Sequence, residues 1–125
     1  MLNKIHTDKA PKALGPYSQA IKFKDMVFTS GQIAIDPATS EIVGTDIKTQ
    51  TKKVMENLEA VLKEAGTSFD KVIKTTCFLD DMADFGEFNQ VYSEYIKNAP
   101  ARSCVAVKEL PKKVLCEVEV IAYVE

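Results

Sequence analysis

The chain has no tryptophan, one histidine and three cysteines among its 125 residues. Each scarcity removes a class of chemistry. With His6 as the sole imidazole, in the N-terminal segment, a Ser–His–Asp or Cys–His arrangement has one poorly placed base. Cys77, Cys104 and Cys116 form no C-x-x-C and cannot all pair with one another, so zinc and redox-motif spacings are missing and no metal is expected. All three thiols fall in strand-like runs, where free cysteine behaves as a small buried hydrophobe. No Walker loop and no G-x-G-x-x-G occurs, and no cofactor is expected. No apolar run approaches the roughly 20 residues of a membrane span. Residues 1–7 lack the apolar stretch of a signal peptide, which makes the cytosol the expected location. Positive charge is not in excess either. Sixteen Lys and Arg against eighteen Asp and Glu leave a net charge of −2, which argues against a nucleic-acid partner.

What is present suits one globular domain over residues 1–125, with enough apolar residues for a proper core. The last quarter is the most informative. Residues 102–107 and 114–124 read as two β-runs joined by a short basic turn. Strands alternate faces, so Val114, Cys116, Val118, Val120 and Ala122 share a wholly apolar, core-facing side. The other side carries Leu115, Glu117, Glu119, Ile121 and Tyr123, a mixture that suits a pocket or a partner surface. Arg102 opens the first run, and with Glu117 on the second the two could meet in one small site. A plain cross-strand ion pair without chemistry is the alternative.

Upstream, residues 1–16 read as an edge strand and a loop with Pro11 and Pro16. Residues 17–23 and 26–35 read as strands joined by a tight turn at Lys24-Asp25. Gly31 inside the second points to a bulge or the close approach of another group. Residues 46–65 form the clearest helix. Asp46 can cap it, Val54, Leu58, Val61, Leu62 and Ala65 make its apolar stripe, and Gly66 stops it. Residues 69–79 read as a strand, and residues 82–97 as a helix capped by Asp80 or Asp81. The stripe of that helix, Phe85, Phe88, Tyr92, Tyr95 and Ile96, reads as core rather than as a ligand cage. The order β-β-β-α-β-α-β-β implies an α+β two-layer sandwich, a mixed sheet with both helices on one face. The uncovered face, with Leu115, Ile121 and Tyr123, then predicts a homo-oligomer packed sheet against sheet.

The chemistry left open is that of a small anionic ligand. Arg102 presents a planar fork that grips a carboxylate, and Glu117, tuned by burial, can activate water or shuttle a proton. Tyr17, Ser30, Gly31, Asn89 and Cys104 are the other candidates. Nothing near Cys104 in sequence would lower its pKa, so a nucleophilic role has little support.

These residues fall in ordered motifs: G-P-Y-S-Q-A (15–20), T-S-G-Q-I (29–33), K-T-T-C-F-L-D-D-M (74–82), D-F-G-E-F-N (84–89), P-A-R-S-C-V (100–105), L-P-K (110–112) and C-E-V-E-V-I-A (116–122). With them the chain resembles the RidA/YjgF family, also called the liver perchloric-acid-soluble or translation-inhibitor family, over nearly its whole length. Cys116 and Val118 flank the matched Glu117 where the family commonly has Ile, and Ile or Met; both swaps keep apolar core positions. The resemblance implies a chorismate-mutase-like fold and a homotrimer with clefts between subunits. It implies hydrolysis of 2-iminobutanoate, 2-iminopropanoate and their enamine tautomers, such as 2-aminoacrylate, to 2-oxo acids and ammonia. In that scheme Arg102 binds the substrate carboxylate and Glu117 activates water. Tyr17 lines the cleft from a neighbouring subunit, Gly31 and the Cys104 backbone lie near the substrate nitrogen, and Asn89 lies near the cleft. Two other functions stay open: a module that binds small carboxylates without turnover, and an endoribonuclease or translation inhibitor.

Overall fold

The computed structural model describes residues 1–125. Six strands form one sheet: β1 (Leu2–Ile5), β2 (Ala20–Phe23), β3 (Met26–Thr29), β4 (Val72–Leu79), β5 (Ala101–Ala106) and β6 (Cys116–Tyr123), in the spatial order β1-β2-β3-β6-β4-β5. Two helices, α1 (Ile47–Glu64) and α2 (Phe85–Tyr95), lie on one face of it. The expected α+β sandwich with a mixed sheet is therefore the fold. All pairs are antiparallel except β4 with β5. That parallel pair is joined through α2, the crossover that parallel strands require.

The period of the sequence explains the layers. On β6 the residues Cys116, Val118, Val120 and Ala122 are buried under the helices, while Glu117, Glu119 and Ile121 are half-buried on the open face. The α1 stripe of Val54, Leu58, Val61, Leu62 and Ala65 is buried as expected. Asp46 Oδ2 accepts from the Thr49 amide at the helix start. At the other end Gly66 takes φ +86°, and the Gly66 and Thr67 amides close on the carbonyls of Lys63 and Leu62. In β4 an extra residue at Ile73 bulges out between the Val72–Ala122 and Lys74–Ile121 pairs. The bulge lets Val72 and Thr75 both face the helices.

Several expectations are corrected. The strand expected over 17–23 begins only at Ala20, and the one expected over 26–35 ends at Thr29, although Gln32 and Ile35 still make single bridges. Residues 69–71 form a 3-10 turn before β4, and residues 82–84 form another before α2. There Asp81 Oδ1 accepts from the Ala83 amide. Most consequential, β5 and β6 are not neighbours. Strand β4 lies between them, pairing Thr75 with Arg102 on one side and Phe78 with Glu117 on the other. No helix is long and apolar enough to cross a membrane.

Candidate active site: two groups on opposite faces of the sheet

The first group forms where β3 ends. Register counts one extra residue on the β3 side between the Phe28–Ile121 pair and the Gln32–Val118 bridge. The Thr29 hydroxyl accepts from the Val120 amide and fills the gap in the ladder. Ser30 and Gly31 fall outside the β3–β6 pairing. The Ser30 hydroxyl donates to the Ser18 carbonyl at 2.6 Å, and its amide donates to the Gln19 carbonyl at 2.9 Å, which ties this bulge to the loop bearing Tyr17. Gln19 is buried; its side chain accepts from the Thr7 amide and donates to the carbonyls of Thr7, Ala10 and Pro11, holding that loop in turn. The result is a cavity of about 600 Å³ on the open face of the sheet, whose wall includes Tyr17, Ser30, Gly31, Glu117 and Glu119. Lys12 and Lys112 stand at the same cavity.

Gly31 is where a close approach is needed. A Cβ there would lie 2.8 Å from Glu117 Cδ. Glu117 is half-buried, and burial, assisted by the neighbouring Glu119 charge, pushes its carboxyl above the ordinary glutamate range. A carboxylate with a raised pKa is a stronger base, which suits a group that takes and returns a proton.

The second group lies at the sheet edge on the helix side. Arg102 of β5 is half-buried, and its Nη1 donates to Asn89 Oδ1 at 2.8 Å. Its Cζ lies 4.9 Å from the Tyr92 ring centroid and 5.5 Å from that of Phe85. A groove of about 280 Å³ beside it is lined by Asn89, Tyr92, Ile96, Pro100 and Arg102 among others. Two residues on, Cys104 is paired in register with Cys77. Burial raises the Cys104 thiol, with the Arg102 charge pulling the other way. Cys77 is pushed up to about 12 and Cys116 to about 11, again chiefly by burial. None of the three is poised as a thiolate.

The seven residues singled out from sequence thus divide. Tyr17, Ser30, Gly31 and Glu117 come together, as do Asn89, Arg102 and Cys104, but within one chain the two groups do not meet. The expectation that Arg102 and Glu117 sit on adjacent strands is corrected: β4 separates them, and their side chains leave the sheet on opposite faces. Sequence reasoning did not select Glu119, although it shares the Glu117 face two residues on. It also read Phe85 and Tyr92 only as core. Phe88, Tyr92 and Ile96 are indeed buried, but Phe85 and Tyr92 also hold a guanidinium.

Comparison with known proteins gives the family. Residues 7–124 match the family model described as Endoribonuclease L-PSP. A RutC family protein of Pyrococcus abyssi is 57% identical, covering 97% of this chain and 96% of its own. Among solved structures, Escherichia coli TdcF with bound serine has a TM-score of 0.93 at 42% identity, covering 98% of this chain and 99% of its own. RidA from the Antarctic bacterium Psychrobacter sp. PAMC 21119 has a TM-score of 0.93 at 41% identity, with the same coverage. With the matched motifs, sheet order and helix placement together, the chain belongs to the RidA/YjgF family.

Proposed function

We propose that the protein hydrolyses 2-imino acids and their enamine tautomers, 2-iminobutanoate and 2-iminopropanoate among them, to 2-oxo acids and ammonia. The observation that carries this reading is an arginine without an acidic partner. The ion pairs of the chain are His6–Asp8, Lys53–Glu56 and Lys71–Glu125, and none involves Arg102. Its one side-chain acceptor is the neutral Asn89. A guanidinium keeps five N–H donors in a fixed fork, so most of them remain for an incoming carboxylate.

The reaction needs little else. A protonated imine is electrophilic at C2. Glu117 takes one proton from water as the C2–O bond forms and the C=N π electrons move to nitrogen. It returns that proton to nitrogen, the C2–N bond breaks, and the remaining hydroxyl proton leaves with ammonia as the carbonyl forms. Imine and water become 2-oxo acid and ammonium with no redox partner. Holding the two reactants in place supplies much of the acceleration required.

The site is completed between subunits. Arg102 and Glu117 point away from opposite faces of one sheet, so a single chain cannot present both to one small molecule. A second copy can, with the Arg102 edge of one subunit set against the Tyr17–Ser30–Gly31–Glu117 cavity of the next. The open face offers a surface for this contact: Phe28 pairs with Ile121 there, and Phe28 and Tyr123 are 43% and 37% exposed. A homotrimer is the proposed closed form.

A second reading has its own support. Escherichia coli TdcF is described with bound serine, which carries a carboxylate and a nitrogen on one carbon, as a 2-imino acid does. A module that binds such molecules without turnover would use the same Arg102. An endoribonuclease has less behind it: the cavity carries Glu117 and Glu119, and the one histidine is exposed and paired with Asp8. The deciding experiment generates 2-iminobutanoate with threonine dehydratase and follows release of 2-oxobutanoate and ammonia. Acceleration by the wild type and none by Arg102→Ala is expected. No acceleration by either leaves the binding module.

A further inference from the structure

Helix α2 presents Phe85, Asn89 and Tyr92 at positions i, i+4 and i+7, one face of a helix. All three meet the Arg102 guanidinium: two through ring faces, at 5.5 and 4.9 Å from Cζ, and one through a 2.8 Å hydrogen bond to Nη1. We propose that this face is an arginine cradle, and that Tyr92 is the positioning residue that holds Arg102 in the orientation from which it receives the substrate carboxylate. The inference rests on the carboxylate-binding role given to Arg102 above.

Tyr92 is suited to this because it is itself held. Its ring is 8% exposed, and its hydroxyl pairs at 2.8 Å with Thr75 Oγ1, which is wholly buried on β4. Thr75 is also the in-register partner of Arg102 across the parallel β4–β5 pair. The neighbouring strand β4 therefore fixes the ring that flanks the arginine of the edge strand β5. Burial raises the Tyr92 phenol, so it stays neutral and offers the cation a π-face rather than a counter-charge. The cradle orients the guanidinium without neutralising it. A carboxylate in place of Asn89 would hold Arg102 as firmly and would compete with the ligand.

The core does not need this arrangement. The Tyr92–Thr75 pair satisfies both hydroxyls without Arg102, and no buried side-chain polar atom of the protein is left without a partner. Nor does Arg102 need it for charge, since a guanidinium is cationic in any surroundings. What the cradle removes is rotamer freedom, which a long side chain would otherwise lose on binding its ligand.

The test measures order and affinity separately. Relaxation of the Arg102 Nε–Hε group is recorded by ¹⁵N NMR in the wild type, Tyr92→Leu, Tyr92→Phe and Asn89→Ala. The dissociation constant for 2-oxobutanoate, and KM and kcat for the imine, are measured in parallel. Tyr92→Leu is expected to loosen Arg102 and to raise KM and the dissociation constant about tenfold, with kcat changing less. Tyr92→Phe keeps the ring and should retain most of the affinity. In an Arg102→Lys background, Tyr92→Leu should add no further loss. An Arg102 as ordered in Tyr92→Leu as in the wild type, or equal losses of affinity in both backgrounds, overturns the proposal. Should Tyr92→Leu not fold, Asn89→Ala carries the same readouts and the same criterion. A wild type that neither binds nor turns over these acids defeats the reading of the site, while the order of Arg102 still decides the cradle.

Discussion

The Glu117 carboxyl fills the place where a side chain at position 31 would begin. A Cβ on Gly31 would stand 2.8 Å from Glu117 Cδ and 2.9 Å from Cγ, with Oε2 nearer still. Gly31 is not among the residues with positive φ, so glycine is required for space rather than for backbone freedom. Gly31→Ala should therefore push the carboxyl aside with little backbone strain. Displacing a reacting group by about 1 Å can cost roughly 100-fold, and a loss of that order in kcat/KM is expected with a melting temperature moved by only a few degrees. An alanine variant with wild-type turnover would remove Glu117 from the role of base.

The division of the site between two faces makes a prediction about mixtures. Arg102→Ala and Glu117→Gln should each be inactive alone. If each site takes Arg102 from one subunit and Glu117 from the next, mixed oligomers regain intact sites. In an equal, randomly reassembled mixture, about one site in four draws an intact arginine and an intact glutamate, whatever the size of the cyclic ring. Activity near a quarter of the wild type is expected after denaturation and joint refolding, and none after simple mixing of stable oligomers. A refolded mixture as inactive as its parents would place both residues in one subunit's site.

Glu117 and Glu119 share one face of β6, and the charge of Glu119 adds to the burial that already raises Glu117. Both causes disfavour the carboxylate, so folded Glu117 holds its proton to higher pH than the unfolded chain does. Its contribution to stability is thus fullest below the unfolded pKa and is lost as pH rises through the folded one. Glu119→Gln removes the smaller cause. The Glu117 carboxyl carbon, followed by ¹³C NMR, should then titrate at lower pH than in the wild type yet still above the ordinary range. The acid limb of kcat/KM should move in the same direction. A titration that does not move would mean that Glu119 exerts no influence on the base.

Local period made most of this protein readable in advance. The stripe of α1 and the alternation of β6 are burial patterns written at 3.6 and 2 residues, and both faces came out as the residues require. Gly31 within an expected strand announced a bulge or a close approach, and both are found there. The order of β4, β5 and β6 was less legible. Two β-runs joined by a short basic segment look like a hairpin, and only the strand–helix–strand order of β4, α2 and β5 hints that β5 pairs backwards with β4. Tyr92 was hidden for another reason. A stripe says that a helix face is covered, but not whether an aliphatic side chain or an arginine covers it. The proposed meeting of Arg102 with Glu117 is legible in no single chain, since their side chains leave the sheet on opposite faces with β4 between their strands.

The wall bearing Gly31 depends on a residue that carries no chemistry. Asn57 of α1 is 1% exposed, and its Nδ2 donates to the carbonyls of Ile33 at 3.1 Å and Ile35 at 2.9 Å, just after β3 leaves the ladder. The Ile33 carbonyl also accepts from the Ile35 amide, whereas Asn57 is the one donor to the Ile35 carbonyl, so Asn57→Ala should strand the latter and leave a void in the buried wall. A loss of about 2 kcal/mol, or roughly 6–10 °C in melting temperature, is expected. Asn98 is the control: its Nδ2 also donates to two carbonyls, those of Asp70 and Val72, but from an exposed position where water can replace it. Asn98→Ala should cost under about 1 kcal/mol. The two variants separate a further point. Ile33 and Ile35 line the Glu117 cavity, so Asn57→Ala should also lower kcat/KM well below its melting point, whereas Asn98→Ala should not. Equal thermal losses, with activity intact in both, would mean that the bulge holds its shape without α1 and that Gly31 is positioned by β6 and the Tyr17 loop alone.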